Sequence, residues 1–328
     1  MPAAGFVVVF MAAGGIMRPM SPDVRLRKPP RLRAGDRVRL VAPASPFAGG
    51  PFNSGCRVLR RLGIEPLVER EEFSREGFLA GNDRSRVFRL VGALQERQSS
   101  AAWCIRGGYG SARLLDLLRP EPASYHAKVL VGFSDATALL LAFSRPGGFV
   151  TFHGPVVTQL GRLPRGALQW LRRLLFDPRV PGRVPLGRLK TLVGGRTRGF
   201  LYGGNLSILA SLVGTEFLPS LAGAILFIED TGEQAYRLDR LLLQLRSSGA
   251  LQNVLGVVVG DLHGCRPGGR GRYAARAVVE RAVAELGVPA VSGASFGHLA
   301  RNLALPLGVL AELDADRGRL EILEAVVS

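Results

Sequence analysis

The segment Val131-Gly-Phe-Ser-Asp-Ala-Thr places Ser134 where an apolar run meets a stretch of helical periodicity. A hydroxyl at such a strand-to-helix turn projects beyond the sheet edge, and the next backbone N–H, that of Asp135, opens a helix where an oxyanion would be stabilised. The position two after the serine is Ala136, so Gly-x-Ser-x-Gly is not met, and taken alone Ser134 reads first as a helix N-cap. Arg106-Gly-Gly-Tyr-Gly is a second loop of interest. Its glycines allow close backbone approach, so Gly107 and Gly108 could supply a further N–H to an oxyanion; a tight turn is the plain alternative. A phosphate cradle is disfavoured, because neither G-x-G-x-x-G nor a following Lys-Ser/Thr is present. His298, in Phe296-Gly-His-Leu, sits where a base can be both accessible and held, and His153, in Phe152-His-Gly-Pro, competes with it. Glu229 closes the apolar run Ala224-Ile-Leu-Phe-Ile, at the strand end where α/β proteins place functional groups, and could orient a histidine. Metal binding by Glu229, Asp230 and Glu233 is disfavoured, since no histidine lies at ligand spacing.

These groups need a scaffold that brings distant segments together. The chain has 328 residues, 47% of them hydrophobic, enough for two domains. Apolar runs near 36–45, 64–68, 101–105 and 128–133 alternate with helical periodicity over 53–62, 85–94, 111–118 and 135–143. That alternation predicts a mostly parallel sheet covered on both faces. The stretch 161–198, rich in proline and arginine with one helix over 168–176, reads as a connecting arm. A second domain, opening near Gly199, holds strands at 224–228, 254–259 and 309–313 and helices at 237–245 and 273–286. The expected organisation is therefore an extension over 1–28, a nucleophile domain over 29–160, the arm over 161–198 and a second domain over 199–328 carrying the glutamate and the histidine.

Residues 5–17 are apolar but lack a positive flank and are too short to span a bilayer. The first 28 residues are read as disordered or as sequence upstream of a start at Met11, Met17 or Met20, with export as the alternative. The net charge of +17 comes from 43 basic and 26 acidic residues, but only three of the basic ones are lysines and the arginines are scattered, not striped with aromatics. Nucleic acid is not an expected partner. Cys56, Cys104 and Cys265 form no pair pattern and read as reduced thiols of a cytoplasmic protein.

Phe78-Leu-Ala-Gly-Asn-Asp, Trp103-Cys-Ile-Arg-Gly-Gly-Tyr-Gly, Gly132-Phe-Ser-Asp-Ala-Thr, His153-Gly-Pro, Gly203-Gly-Asn-Leu-Ser, Ile228-Glu-Asp-Thr-Gly-Glu, Gly297-His and Leu305-Pro-Leu-Gly follow one another in order from about residue 32 to the end. As an ordered set they resemble the LD-carboxypeptidase family of serine peptidases. The resemblance implies an α/β protein of two domains, an N-terminal Rossmann or flavodoxin-like parallel sheet and a C-terminal swivelling β/α domain. It implies a triad of Ser134, Glu229 and His298, an oxyanion hole from the N–H groups of Asp135 and the Gly107-Gly108 turn, and no cofactor or metal. The implied reaction releases terminal D-alanine from a murein tetrapeptide during peptidoglycan recycling, in a cytoplasmic homodimer that needs no membrane. Arg106 is a candidate for the terminal carboxylate, with Tyr109 near the substrate and His153 in a structural or substrate-near role. A second branch, the microcin C immunity peptidases, cleaves an aminoacyl-nucleotide amide and stacks adenine on aromatics, for which Trp170 and Phe176 are on offer. A non-catalytic binder of small peptides or nucleotides, with Ser134 as a mere cap, is the alternative of another class.

Overall fold

The computed structural model describes residues 26–118, 122–267 and 274–328. Of the extension expected over 1–28, residues 1–25 lie outside the described residues, as does Tyr273 at the start of the expected helix 273–286. Residues 26–28 are packed: Leu26 is buried, the Arg27 N–H donates to Gly148 O at 3.1 Å, and Lys28 pairs with Glu324 at 2.9 Å.

In the first half, strands β1 (Arg37–Val41), β2 (Glu65–Leu67), β3 (Ala101–Cys104), β4 (Val129–Gly132) and β5 (Thr151–His153) alternate with helices α1 (Gly49–Arg61), α2 (Asp83–Gln95), α3 (Leu115–Leu118) and α4 (Thr137–Phe143). The strands pair in parallel in the order β5-β4-β3-β1-β2, a flavodoxin-like arrangement. Every residue of β3, β4 and β5 is buried, as continuous apolar runs covered on both faces should be. All seven residues of α4 are buried as well, so the helix that follows Ser134 is locked in the core.

The chain continues through α5 (Val157–Leu160), α6 (Arg165–Phe176), β6 (Gly182–Arg183), β7 (Lys190–Val193), β8 (Arg196–Asn205), α7 (Leu206–Ser211), β9 (Ala224–Thr231), α8 (Ala235–Ser247), β10 (Gly256–His263), α9 (Ala275–Ala284), β11 (Ala290–Ser292), β12 (Leu305–Leu307), β13 (Val309–Asp314) and β14 (Arg319–Ile322). A second, mixed sheet runs β6-β14-β13-β8-β9-β10-β11-β7, with β8 to β11 parallel. The protein is thus an α/β molecule of two domains.

Two features depart from the sequence expectation. The stretch 161–198 is more than an arm, because β6, β7 and the first three residues of β8, Arg196 to Arg198, all lie in the second sheet. The short β12, although it follows the second domain's strands in the chain, pairs antiparallel with β5 and completes the first sheet. Pro306 is tolerated there because β12 is an edge strand, where no N–H is owed to an outer neighbour. Buried polar contacts join the halves further: Tyr202 OH donates to Ser144 O at 2.8 Å, Trp170 Nε1 to Ala304 O at 2.8 Å, and the Asn205 N–H to Thr137 Oγ1 at 3.1 Å.

At the seam between the two sheets lies His153, the last residue of β5. It is wholly buried, with Phe133, Phe227 and Phe296 edge-on around it at centroid distances of 5.2, 5.3 and 6.5 Å. Burial, reinforced by His298 nearby, pushes its imidazole down to about 3. In the unfolded chain it would titrate near ~6.5. Above that pH both states are neutral and His153 leaves stability unchanged. Below it the unfolded chain binds a proton that the folded state refuses, so stability falls by up to about 1.4 kcal/mol per pH unit until the pH approaches the folded value. Urea unfolding of wild type and His153→Leu between pH 7.5 and 4.5 should show the wild type losing ground to the variant below about pH 6.5; a difference that does not change with pH would mean that His153 titrates normally in the fold.

Candidate active site

Ser134 lies two residues beyond the end of β4 and adopts φ +60°, one of two positive-φ residues other than glycine among those described. A non-glycine residue in this region carries a cost that local packing must offset, and such strain gathers at functional turns. The first turn after it, Ser134–Ala136, is a 3-10 helix whose N-cap is Phe133, and the Ser134 hydroxyl makes no capping bond. The helix-cap role that the isolated serine suggests is therefore not the one it plays. Its Oγ lies 3.1 Å from His298 Nε2, while His298 Nδ1 lies 2.7 Å from Glu229 Oε2. Residues 95 and 69 positions apart thus form one hydrogen-bonded chain, Ser134 from the first sheet's β4, Glu229 from the second sheet's β9 and His298 from the loop between β11 and β12.

The carboxylate at its far end is held from several sides. Glu229 is fully buried and accepts from Asn205 Nδ2 at 3.2 Å. The same Asn205 amide reaches Asp230 Oδ1 at 3.2 Å, and the Asp230 carboxylate also accepts from Ser207 N, Ser207 Oγ and Thr231 N at 2.7 to 2.9 Å. Burial pushes the Asp230 carboxyl up, and the Ser207 and Thr231 bonds oppose that shift. Asp230 is thus committed to protein donors. Asn205 went unassigned in the sequence, although its motif Gly203-Gly-Asn-Leu-Ser stands out; an asparagine that caps α7 and also donates to two carboxylates can be recognised only once β8 and β9 are seen side by side. Asn302, also unassigned, accepts from the Gly297 N–H at 3.0 Å and so steadies the loop carrying His298.

The side chains open into a cleft of about 380 Å³ lined by Arg106, Gly107, Gly108, Phe133, Ser134, Val156, Thr158, Gln159, Thr231 and His298. His298 keeps 18% of its side chain exposed, enough to meet a ligand and exchange a proton. Gly107 has a specific reason to be glycine: a Cβ there would stand 2.9 Å from Ser134 Cβ and 3.0 Å from Phe133 O, closer than packing tolerates. The loop backbone therefore lies directly against the serine. Arg106 lines the cleft and donates from Nη1 to Pro46 O at 2.6 Å.

The remaining candidates fall elsewhere. His153 lies behind Glu229, with Nε2 3.9 Å from Glu229 Oε1, and its burial removes it from contact with any ligand in the cleft. Tyr109 is half exposed and packs edge-on against Phe78 at 5.3 Å, outside the residues that line the cleft. Trp170 is buried with its indole N–H committed to Ala304 O, so it offers no face for a base, and Phe176 is covered by the Arg172 guanidinium at 5.9 Å. Cys104, beneath the elbow, is no rival nucleophile, because burial pushes its thiol up to about 12. No group of three His, Cys, Asp or Glu side chains able to hold a metal occurs among the described residues, and no helix among them is long and apolar enough to cross a membrane.

Comparison with known proteins shows the family of the chain. Residues 38–154 match the LD-carboxypeptidase N-terminal domain and residues 198–313 the LD-carboxypeptidase C-terminal domain. The murein tetrapeptide carboxypeptidase of Pseudomonas aeruginosa is 35% identical over 86% of this chain and 94% of its own. The crystal structure of muramoyltetrapeptide carboxypeptidase from Oxalobacter formigenes superposes with a TM-score of 0.75 at 28% identity, covering 89% of this chain and all of that one. The microcin C7 self-immunity protein MccF of Escherichia coli is more distant, 24% identical over 90% of this chain and 96% of its own. With both domains matched in order and the serine, histidine and glutamate in one hydrogen-bonded chain, the protein belongs to the LD-carboxypeptidase family.

Proposed function

We propose that the protein is a serine LD-carboxypeptidase that removes the terminal D-alanine from a murein tetrapeptide. The observation that carries this reading is the strained Ser134 hydroxyl, 3.1 Å from a histidine that is itself bonded to a buried glutamate at 2.7 Å, at the floor of an open cleft. In the ground state Ser134 Oγ–H donates to His298 Nε2, and His298 Nδ1–H donates to Glu229, which fixes the tautomer with its basic nitrogen toward the serine. His298 takes the proton as Ser134 attacks the carbonyl of the amide that joins an L-centre to D-alanine. The oxyanion is received by the N–H of Asp135 and by the Gly107-Gly108 turn, which packs against the serine. His298 then protonates the departing D-alanine amine, and water hydrolyses the acyl-enzyme by the same relay. The Glu229 carboxylate stabilises the imidazolium that forms at each step.

A carboxypeptidase must also recognise a free terminal carboxylate. Arg106 brings a guanidinium to the lining of the cleft beside the Gly107-Gly108 turn, which suits it to that group. The relatives named for murein peptides favour this substrate, and the burial of Trp170 disfavours the nucleotide stacking of the microcin-immunity reading. A non-catalytic binder would have no use for a strained serine held against a general base. Peptidoglycan recycling in the cytoplasm, by a homodimer, completes the proposal, with the chain passing from the first domain to the second within residues 161–198.

Two experiments test it. Ser134→Ala should lower the rate of D-alanine release from a murein tetrapeptide by at least about 10³-fold, with the thermal transition unchanged; turnover within a few fold of wild type would overturn the mechanism. Arg106→Gln should raise KM for the tetrapeptide by roughly 10-fold or more, as expected for loss of a charge-assisted bond. The effect should vanish when the substrate's terminal carboxylate is amidated, and an equal penalty on both substrates would remove Arg106 from that role.

A further inference from the structure

Asp135 enters the proposed reaction only through its backbone N–H, yet its side chain is buried and makes a bond of its own. Asp135 Oδ2 accepts from the Ser111 N–H at 2.7 Å across 24 residues of sequence. Ser111 ends the loop that begins at Arg106, and Asp135 is the residue after the serine. This contact therefore ties the far end of the glycine loop to the elbow itself.

The loop needs such a tie. Gly108 and Gly110 hold φ +111° and +122°, conformations that an unconstrained chain leaves readily, and the loop's other attachments point away from Ser134. Tyr109 N donates to Ser45 Oγ at 3.1 Å, Ser45 N to Gly107 O at 3.4 Å, and the buried Arg86 Nη1 to Gly110 O at 3.0 Å. Arg86 also binds the carbonyls of Pro43 and Gly81, so these contacts fasten the loop to the segment after β1 and to the start of α2. Among the described residues, the hydrogen bond from Ser111 N to Asp135 is the one that measures the loop against the nucleophile turn.

The geometry points to the Asp135 carboxylate as a positioning residue that sets the spacing of the oxyanion hole, holding the Gly107-Gly108 backbone in register with Asp135's own N–H. One residue thus donates to the oxyanion from its backbone and, through its side chain, places the opposite wall. The inference rests on the reaction proposed above. A buried carboxylate accepting a backbone N–H forms a short, charge-assisted bond, suited to holding a distance within a few tenths of an ångström. Donors of an oxyanion hole act only when placed in advance at the position the charge will occupy.

Three variants of the full chain test this. Asp135→Ala should lower kcat by roughly 10- to 100-fold, less than outright loss of an oxyanion donor, with KM for the tetrapeptide changed by less than about threefold. Asp135→Asn keeps an acceptor for Ser111 N and should retain kcat within about fivefold of wild type. Ser111→Pro deletes the donor at a residue whose φ of −63° suits proline. Its ring Cδ takes the place of the N–H that stands 2.7 Å from Asp135 Oδ2, so the carboxylate must turn away from the loop, and the variant should reproduce the kcat loss. A wild-type kcat in Asp135→Ala or Ser111→Pro, or a loss in Asp135→Asn as large as in Asp135→Ala, would overturn the clamp. Turnover by Ser134→Ala would instead overturn the reaction on which it rests, so the two failures are distinguishable.

Discussion

The site depends on one constraint: the carboxyl end of β4 in the first sheet and that of β9 in the second must face each other within the reach of a single imidazole. A histidine ring spans only a few ångströms between its nitrogens, so Ser134 and Glu229 cannot drift apart without breaking one of its two bonds, at 3.1 and 2.7 Å. The cross-sheet contacts follow from this requirement. The Asn205 N–H on Thr137 Oγ1 joins β8 to the first turn of α4, one helix turn beyond the serine, while the same asparagine's amide holds Glu229. Strand β12, the chain segment following the His298 loop, is built into the first sheet beside β5. The loop that carries the histidine is therefore anchored to the second sheet at β11 and to the first at β12, and His298 is suspended between them.

Burial makes these bonds count. Around Glu229 the polar neighbours are Asn205, Asp230, His153 and His298, enclosed by the rings of Phe133, Phe227 and Phe296. In such surroundings an unpaired carboxylate is costly, and the histidine bond offsets a penalty that water would otherwise remove. A neutral His153 behind the carboxylate fits this arrangement: it fills the seam without adding a second positive charge that would compete with His298 for Glu229. The positive φ of Ser134 is a further cost, on the order of 1 to 3 kcal/mol, sustained because the strand before it and the helix after it are both fully buried.

Much of this was legible in the sequence, and the limits are physical. The first sheet's strands were visible because parallel strands covered on both faces read as unbroken apolar runs, as Ala101-Ala-Trp-Cys and Val129-Leu-Val-Gly do. Strand β7 was not, because it lies at an edge with half its residues exposed, and its Lys190-Thr-Leu-Val looks like any polar loop. Strand β12 contains a proline and pairs with a segment about 150 residues earlier, so no local pattern could announce it. The three chain-linked side chains were identified through their ordered motifs and not through their own neighbourhoods, each of which admitted a plainer role. His153 illustrates the converse: the same motif order suggested a place near the substrate, and only packing reveals that Glu229 and three aromatic rings stand in between.

The glycine loop shows why motif order and backbone geometry are both needed. Arg106-Gly-Gly-Tyr-Gly is compatible with a turn, a phosphate cradle or an oxyanion wall, and composition cannot separate the three. Contact supports the proposed oxyanion wall, because the Gly107 backbone stands so close to Ser134 that no side chain fits between, while its carbonyl accepts from the Ser45 N–H. A loop whose approach is that tight gains nothing from flexibility, since any retreat would open the space behind the serine to water and loosen the donors facing it. Its glycines permit the approach but cannot hold it. Of the buried side chains from the neighbouring elements, Arg86 on one side donates a hydrogen bond to the loop backbone and Asp135 on the other accepts one from it, and on the proposed clamp it is they that hold it.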